Sequence, residues 1–252
     1  MKIEGAVAAV FGGASGLGAA TARRFAAEGA TVLVADLVAD RAESLAAEIG
    51  GRAAEVDVVD AGSVEHAVAS ATKLGELRIC VNCAGLGTPT KLLGRDGPTP
   101  LENFANVLEV NLLGTINVLR CAAGAMSSYP ESADGDRGVC VNTASIAAYD
   151  GQVGQVAYAA SKGGVVGLTL PVARELADSA IRVVTIAPGL FDTPLLAGLP
   201  ARARESLAAN VPYPSRLGDP GEFADLVAHL ATNRMINGEV IRLDGALRMQ
   251  PS

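Results

Sequence analysis

The sequence contains no tryptophan, and aromatic residues make up only 4% of its 252 positions. Alanine and glycine dominate instead, a composition suited to helices packed closely on a sheet. Histidine occurs only at 66 and 229, each in a helical stretch with no partner nearby in sequence, so both read as ordinary helix residues. Cysteine occurs four times, at Cys80, Cys83, Cys121 and Cys140. Cys80-Val-Asn-Cys83 has the spacing of a redox or zinc pair, but no second pair or histidine cluster completes a site. On a strand the two thiols also point to opposite faces. No metal site is expected, and the cysteines read as structural thiols of a reducing, cytoplasmic compartment. Basic stretches are missing: 20 Lys and Arg stand against 27 Asp and Glu, for a net charge of −7, which argues against nucleic acid as a partner. No uninterrupted apolar run reaches the roughly eighteen residues of a membrane span, so no membrane is expected. Met1-Lys2 followed by Ala6–Phe11 leads into glycines rather than a cleavage-like segment, so it reads as a first strand. Repeats and low-complexity tracts are absent.

What is present is ample for one α/β domain over residues 1–252. Strands are expected at Ala6–Phe11, Thr31–Ala35, Arg52–Val56, Ile79–Asn82, Gly138–Thr143, Arg182–Ala187 and Glu239–Leu243, with helices between them. Lys91–Pro100 reads as a Gly/Pro loop near a substrate mouth. A long helix is expected from about Leu101 to Met126, and another over about Val153–Asp178. Leu195–Pro214, rich in Leu, Ala and Pro, reads as part of a mobile lid over about 190–214.

Two stretches carry chemistry. The first strand runs into Gly12-Gly13-Ala14-Ser15-Gly16-Leu17-Gly18 and then a helix. Glycines there let the backbone turn tightly and approach a pyrophosphate resting on the helix N-terminus. Asp36 ends the second strand eighteen residues beyond Gly18, where an acidic side chain takes the adenosine ribose hydroxyls and repels a 2′-phosphate. Arg23 and Arg24 fall within the helix and read as solvated surface. NAD is therefore expected rather than NADP.

The second stretch is Asn142–Lys162. Tyr158 and Lys162, four residues apart, share one face of a helix; Ser145 lies just past a strand end, where ligands sit in α/β sheets. A free tyrosine has a pKa of about 10, and a nearby lysine cation is expected to lower it. The serine hydroxyl is placed to hold the reacting oxygen of an alcohol or ketone. Taken alone, Tyr-x-x-x-Lys is also any exposed helical pair.

The glycine turn, Ser145 and Tyr158-x-x-x-Lys162 together resemble the short-chain dehydrogenase/reductase family over the whole chain. The runs NTAS-I-AA, GQVGQ-AY-ASKGG, TIAPGLF-TPLL and NGEVIRLDGA-RMQ are similar to its 3-hydroxyacyl-CoA dehydrogenases. The resemblance implies a single Rossmann-type doubly wound α/β fold, a parallel sheet of seven strands in order 3-2-1-4-5-6-7 with helices on both faces. It implies Ser145, Tyr158 and Lys162 as catalytic, with Asn111 assisting by holding a water; the other reading of Asn111 is a capped kink in its helix. The implied cofactor contacts are Gly12, Ser15, Gly16, Leu17, Gly18, Asp36, Asp57, Val58, Cys83, Ala84, Gly85, Tyr158, Lys162, Phe191 and Thr193. Substrate contacts fall on Ser145, Gln152 and Tyr158. Asp57 reads equally as an N-cap.

Where the family has threonine before the first glycine, Phe11 stands here. Asp192 replaces a glycine before Thr193, adding negative charge near the mouth, while Arg202 and Arg204 read as helix-surface charges. The implied activity is NAD-dependent interconversion of a secondary alcohol and ketone, on a 3-hydroxyacyl-CoA. A hydroxysteroid dehydrogenase, a 3-oxoacyl carrier-protein reductase and a scaffold subunit that keeps only the fold are the alternatives. The implied partners are a small-molecule substrate, acyl-CoA or steroid-like, and further copies of the chain in a homotetramer.

Overall fold

The computed structural model describes residues 1–95, 97–197 and 200–251. Its strands are β1 (Val7–Phe11), β2 (Thr31–Asp36), β3 (Arg52–Glu55), β4 (Leu77–Asn82), β5 (Leu93–Gly94), β6 (Gly97–Pro98), β7 (Gly138–Thr143), β8 (Ile181–Pro188) and β9 (Val240–Leu243). Seven of them form one sheet in the order β3-β2-β1-β4-β7-β8-β9, with every neighbouring pair parallel. A parallel sheet covered on both faces needs strands that are apolar at every position. The burial of β1 shows this directly: Ala8 and Val10 enter one core, while Val7, Ala9 and Phe11 enter the other.

Three helices cover the first face, α1 (Gly16–Ala27), α2 (Ala39–Ile49) and α9 (Pro220–Thr232), through side chains such as Phe25, Leu45 and Phe223. The opposite face is covered by α3 (Ala61–Thr72), α5 (Gly114–Ser127) and α6 (Val156–Glu175), through Val64, Val118 and Ala173. The short α4 (Glu102–Leu108) continues into α5 through a π turn at Glu109–Leu113. Two further helices, α7 (Pro194–Ala197) and α8 (Ala201–Ala209), occupy part of the 190–214 stretch expected as a lid; positions 198 and 199 lie outside the described residues.

Three sequence-based expectations change. Lys91–Pro100 is not a plain loop: β5 and β6 pair antiparallel, Leu93 with Pro98 and Gly94 with Gly97; position 96 lies outside the described residues. Asp57 does not cap α3. That role falls to Asp60, whose Oδ1 accepts from the Ser63 amide at 2.6 Å. Finally, the helical stretches Glu102–Ser127 and Val156–Glu175 are long and apolar enough to cross a membrane by length and composition, which a count of uninterrupted apolar runs passes over. In the fold both helices lie on the sheet, burying Val118, Ala122, Val165 and Ala173, and both bury polar residues that face the site.

Candidate active site

The glycine turn shows why its residue types are required. Gly12 has φ +69°, and a Cβ there would lie 2.7 Å from Ala84 Cα. A Cβ on Gly18 would run into the Gly12 carbonyl oxygen, so only glycine lets β1, the turn and the first turn of α1 close on one another. Ser15 is the N-cap residue of α1 but makes no side-chain cap bond, leaving the helix N-terminus open to an anion. Asp36, half-buried at the end of β2, accepts from the Ala14 amide through Oδ2 at 2.9 Å and from the Val38 amide through Oδ1 at 3.1 Å. These bonds hold its carboxylate over the turn. The glycine cradle, open helix end and anchored acid fit a nicotinamide dinucleotide. Phe11, in place of a threonine, is fully buried and gives its carbonyl to the Cys83 amide at 2.8 Å. The turn is thus tied to the Cys83-Ala84-Gly85 segment through backbone alone.

The proton-handling groups converge at the C-terminal ends of β4, β7 and β8. Ser145 follows β7 and heads a single helical turn, its Oγ accepting from the Ala147 amide at 3.1 Å. Tyr158 and Lys162 lie one turn apart near the start of α6, and the Lys162 Nζ sits 5.9 Å from the centre of the Tyr158 ring. Lys162 Nζ donates to the Thr143 carbonyl at 2.8 Å. The expectation that this lysine lowers the tyrosine pKa is corrected here. Burial pushes the Tyr158 phenol up, and hydrogen bonding with Ser145 pulls it partly back. Burial also brings Lys162 down to about 8, against a small opposing effect of Cys83. Both ionised forms have lost water, and that loss is the largest effect on each group.

Asn111 lies in the π turn and is fully buried. Its Oδ1 accepts from the Leu86 amide at 2.7 Å, and its Nδ2 donates to the Leu86 carbonyl at 2.9 Å and to Ser161 Oγ at 3.0 Å. It marks an irregularity in the long helix, and its side chain bonds to Leu86 and Ser161. A Cβ on Gly85 would lie 3.1 Å from Asn111 Oδ1 and 3.5 Å from Lys162 Nζ, so the bare backbone of Gly85 separates the two polar groups.

Ser145, Gln152, Tyr158, Lys162, Cys83, Gly85, Leu17, Phe191 and Thr193 all line one cleft of about 530 Å³. The Cys83 thiol, lifted to about 11 by burial, stays protonated there and serves as a small neutral wall. Cys80 points to the other face and lies in register with Cys140. Asp57 and Val58 lie apart from the cleft. Asp57 Oδ1 accepts from the Val59 amide at 3.0 Å, Val58 packs against Gly114, and the Val58 carbonyl accepts from Asn117 at 2.8 Å. Asp192 does not leave a bare negative charge at the mouth, because Arg204 of α8 pairs with it; Arg204 is therefore not a simple surface charge, whereas Arg202 is exposed. Leu86, Leu196, Leu207 and Met249 also line the cleft; Leu196 and Leu207 fall in the expected lid, while Leu86 and Met249 were not singled out as site residues by the sequence.

The family model described as "Enoyl-(Acyl carrier protein) reductase" matches residues 12–247. The chain belongs to the short-chain dehydrogenase/reductase family, and it is an oxidoreductase that uses a nicotinamide cofactor and small-molecule substrates. It is 52% identical to human 3-hydroxyacyl-CoA dehydrogenase type-2, over 99% of this chain and 98% of the human one. The crystal structure of 3-hydroxyacyl-CoA dehydrogenase type-2 from Mycobacterium avium superposes with a TM-score of 0.94 at 47% identity, covering 98% of each chain. A 7α-hydroxysteroid dehydrogenase, complexed with NADH and 7-oxo glycochenodeoxycholic acid, matches with a TM-score of 0.89 at 27% identity over 100% of this chain and 97% of its own.

Proposed function

We propose that this enzyme uses NAD to interconvert the 3-hydroxyl and 3-oxo groups of short- or branched-chain acyl-CoA substrates. The observation that carries the reading is the convergence of Ser145, Tyr158 and Lys162 in one cleft walled by Leu190, Phe191, Leu196 and Leu207, in a chain that resembles 3-hydroxyacyl-CoA dehydrogenases from end to end. Residues 1–252 act as one cofactor-binding domain with a substrate lid at about 190–214. Bound along Gly12–Gly18, Asp36 and the Cys83–Gly85 segment, the nicotinamide supplies the hydride acceptor or donor. Asp57 and Val58 line the adenine end, and Phe191 and Thr193 the carboxamide. Tyr158 takes the hydroxyl proton in oxidation and returns it in reduction. Ser145 donates a hydrogen bond to the reacting oxygen and holds it in line with the phenol. Lys162 binds the ribose and links, past Gly85, toward Asn111. Gln152 faces the substrate.

The Arg204 pairing neutralises Asp192, so this residue presents no unpaired charge to a polyanionic CoA tail. A steroid is the second reading, supported by the apolar cleft and the 7α-hydroxysteroid dehydrogenase likeness; a carrier-protein reductase is disfavoured by Asp36, and a pure scaffold by the intact catalytic set. Exposed Leu113, Ile116 and Leu170 on α5, α6 and the π turn support the homotetramer, and four free cysteines support a reducing, cytoplasmic setting.

Steady-state assays of acetoacetyl-CoA with NADH, set against a 17-ketosteroid with the same cofactor, test the substrate. The acyl-CoA is expected to win by at least about tenfold in kcat/KM, because a small 3-oxo group needs only the inner cleft and its tail leaves through the mouth. A steroid that is turned over more efficiently replaces this substrate with the second reading. Cofactor choice rests on Asp36. A carboxylate about 4 Å from a phosphate costs on the order of 1–4 kcal/mol per charge pair, so NAD is expected to exceed NADP by tenfold or more. Asp36→Ala should narrow that gap, and comparable rates with both cofactors in the unaltered enzyme refute the assignment.

A further inference from the structure

The residues after β9 return to the active site. Leu247, only 4% exposed, packs with Ile146, the residue after Ser145, and with Val211 at the end of the lid segment; Leu190 and Met249 complete that cluster. Three hydrogen bonds tie the returning segment down. Arg242 donates to the Leu247 carbonyl at 3.0 Å while also pairing with Asp150 at 2.6 Å. Gln152 Nε2 donates to the Gln250 carbonyl at 2.9 Å, and the Val153 amide donates to the Pro251 carbonyl at 3.0 Å. The segment is therefore bound to the loop between Ser145 and Tyr158 on one side and to the lid on the other. Held this way, the half-buried Met249 forms part of the same cleft wall as Ser145, Gln152 and Tyr158.

We propose that Met249 is a specificity-determining residue that limits the length and branching of the chain accepted beside the reacting carbonyl; this rests on the acyl substrate reading above. Two features support it. The bonds at Gln250 and Pro251 are made by backbone carbonyls, so they fix the strap's position whatever side chain stands at 249. The Met249 side chain makes no hydrogen bond among the described residues, and its unbranched thioether adapts to what enters an apolar space. A shorter side chain at 249 opens room in the cleft, and a bulky rigid one closes it. Neither change touches the proton path of Tyr158, Ser145 and Lys162.

The test compares Met249→Ala and Met249→Phe with the unaltered enzyme on 3-oxoacyl-CoA substrates of about four, eight and ten carbons. Discrimination of one methylene in an apolar pocket is worth about 10–200-fold, so the kcat/KM ratio of the eight-carbon to the four-carbon substrate should rise at least tenfold in Met249→Ala. The same ratio should fall at least tenfold in Met249→Phe. NADH affinity, read by fluorescence titration, reports folding and an intact cofactor site in each variant. Should Met249→Ala not fold, the Phe variant decides alone. Ratios that stay within about twofold of the unaltered enzyme, or variants that lose all substrates in parallel, overturn the role of Met249. An unaltered enzyme that reduces no 3-oxoacyl-CoA overturns the substrate reading instead.

Discussion

Replacing Tyr158 by phenylalanine is expected to lower kcat by at least ~10²–10⁴, the range that acid–base catalysis supplies, while NAD affinity stays close to that of the unaltered enzyme. Only the hydroxyl is removed; the ring keeps its place between Ser145 and Lys162. Among the described residues lining the cleft, the phenol is the group best placed to exchange a proton with a substrate oxygen held by Ser145, since the Cys83 thiol stays protonated with a pKa of about 11 and Lys162 donates to the Thr143 carbonyl. Stopped-flow turnover beside isothermal titration with NAD separates the two quantities. Substantial remaining turnover would assign the proton to another group.

Lys162→Met is expected to remove activity and, at neutral pH, to stabilise the fold. Burial holds the folded pKa of Lys162 near 8, below the unfolded value of about 10.4. The unfolded chain therefore binds more protons between those values, so this residue's contribution to stability rises as pH climbs from about 8 to about 10.4. Below pH 8 the native state bears the full cost of a buried ammonium, on the order of 3 kcal/mol for a shift of this size. Methionine preserves the aliphatic stem and removes that cost, although the Thr143 carbonyl loses its donor. Thermal unfolding at pH 7 should show a higher Tm in the variant, by about 2–4 °C for each kcal/mol gained. At pH 10 the difference should shrink toward zero. A variant that melts lower at pH 7 would mean that the bond to Thr143 outweighs the desolvation of the charge.

Both predictions depend on burial, which residue spacing does not reveal. The spacing of Tyr158 and Lys162 establishes that they share a helix face, and on that basis the lysine should depress the phenol's pKa. In the fold the face is turned inward, and desolvation moves both groups toward their neutral forms. Asp57 shows the same limit in a loop. An acid after a short strand is a fair N-cap candidate, but α3 begins four residues later, at Ala61, so Asp60 takes the amide. Asp192 and Arg204, twelve residues apart, gave no local sign that they would pair, because α8 folds back over the loop that carries Asp192.

The strands were legible because a sheet buried on both faces demands unbroken apolar runs, and β7 was expected and found at Gly138–Thr143. The glycine turn was legible for a steric reason that acts within one short segment, where any Cβ at Gly12 or Gly18 meets backbone. The α/β class, the glycine turn with its acid at Asp36, and the shared helix face of Tyr158 and Lys162 were thus legible in the sequence itself, since each follows from local periodicity, local sterics or a short spacing; the strand order came from the family resemblance. Tertiary structure alone decided the protonation preferences of Tyr158 and Lys162, the neutralised charge at Asp192, and the return of Met249 to the cleft of Ser145, Gln152 and Tyr158. These depend on which surfaces lose water and which distant segments meet, quantities set by packing across the whole chain rather than by any stretch of it.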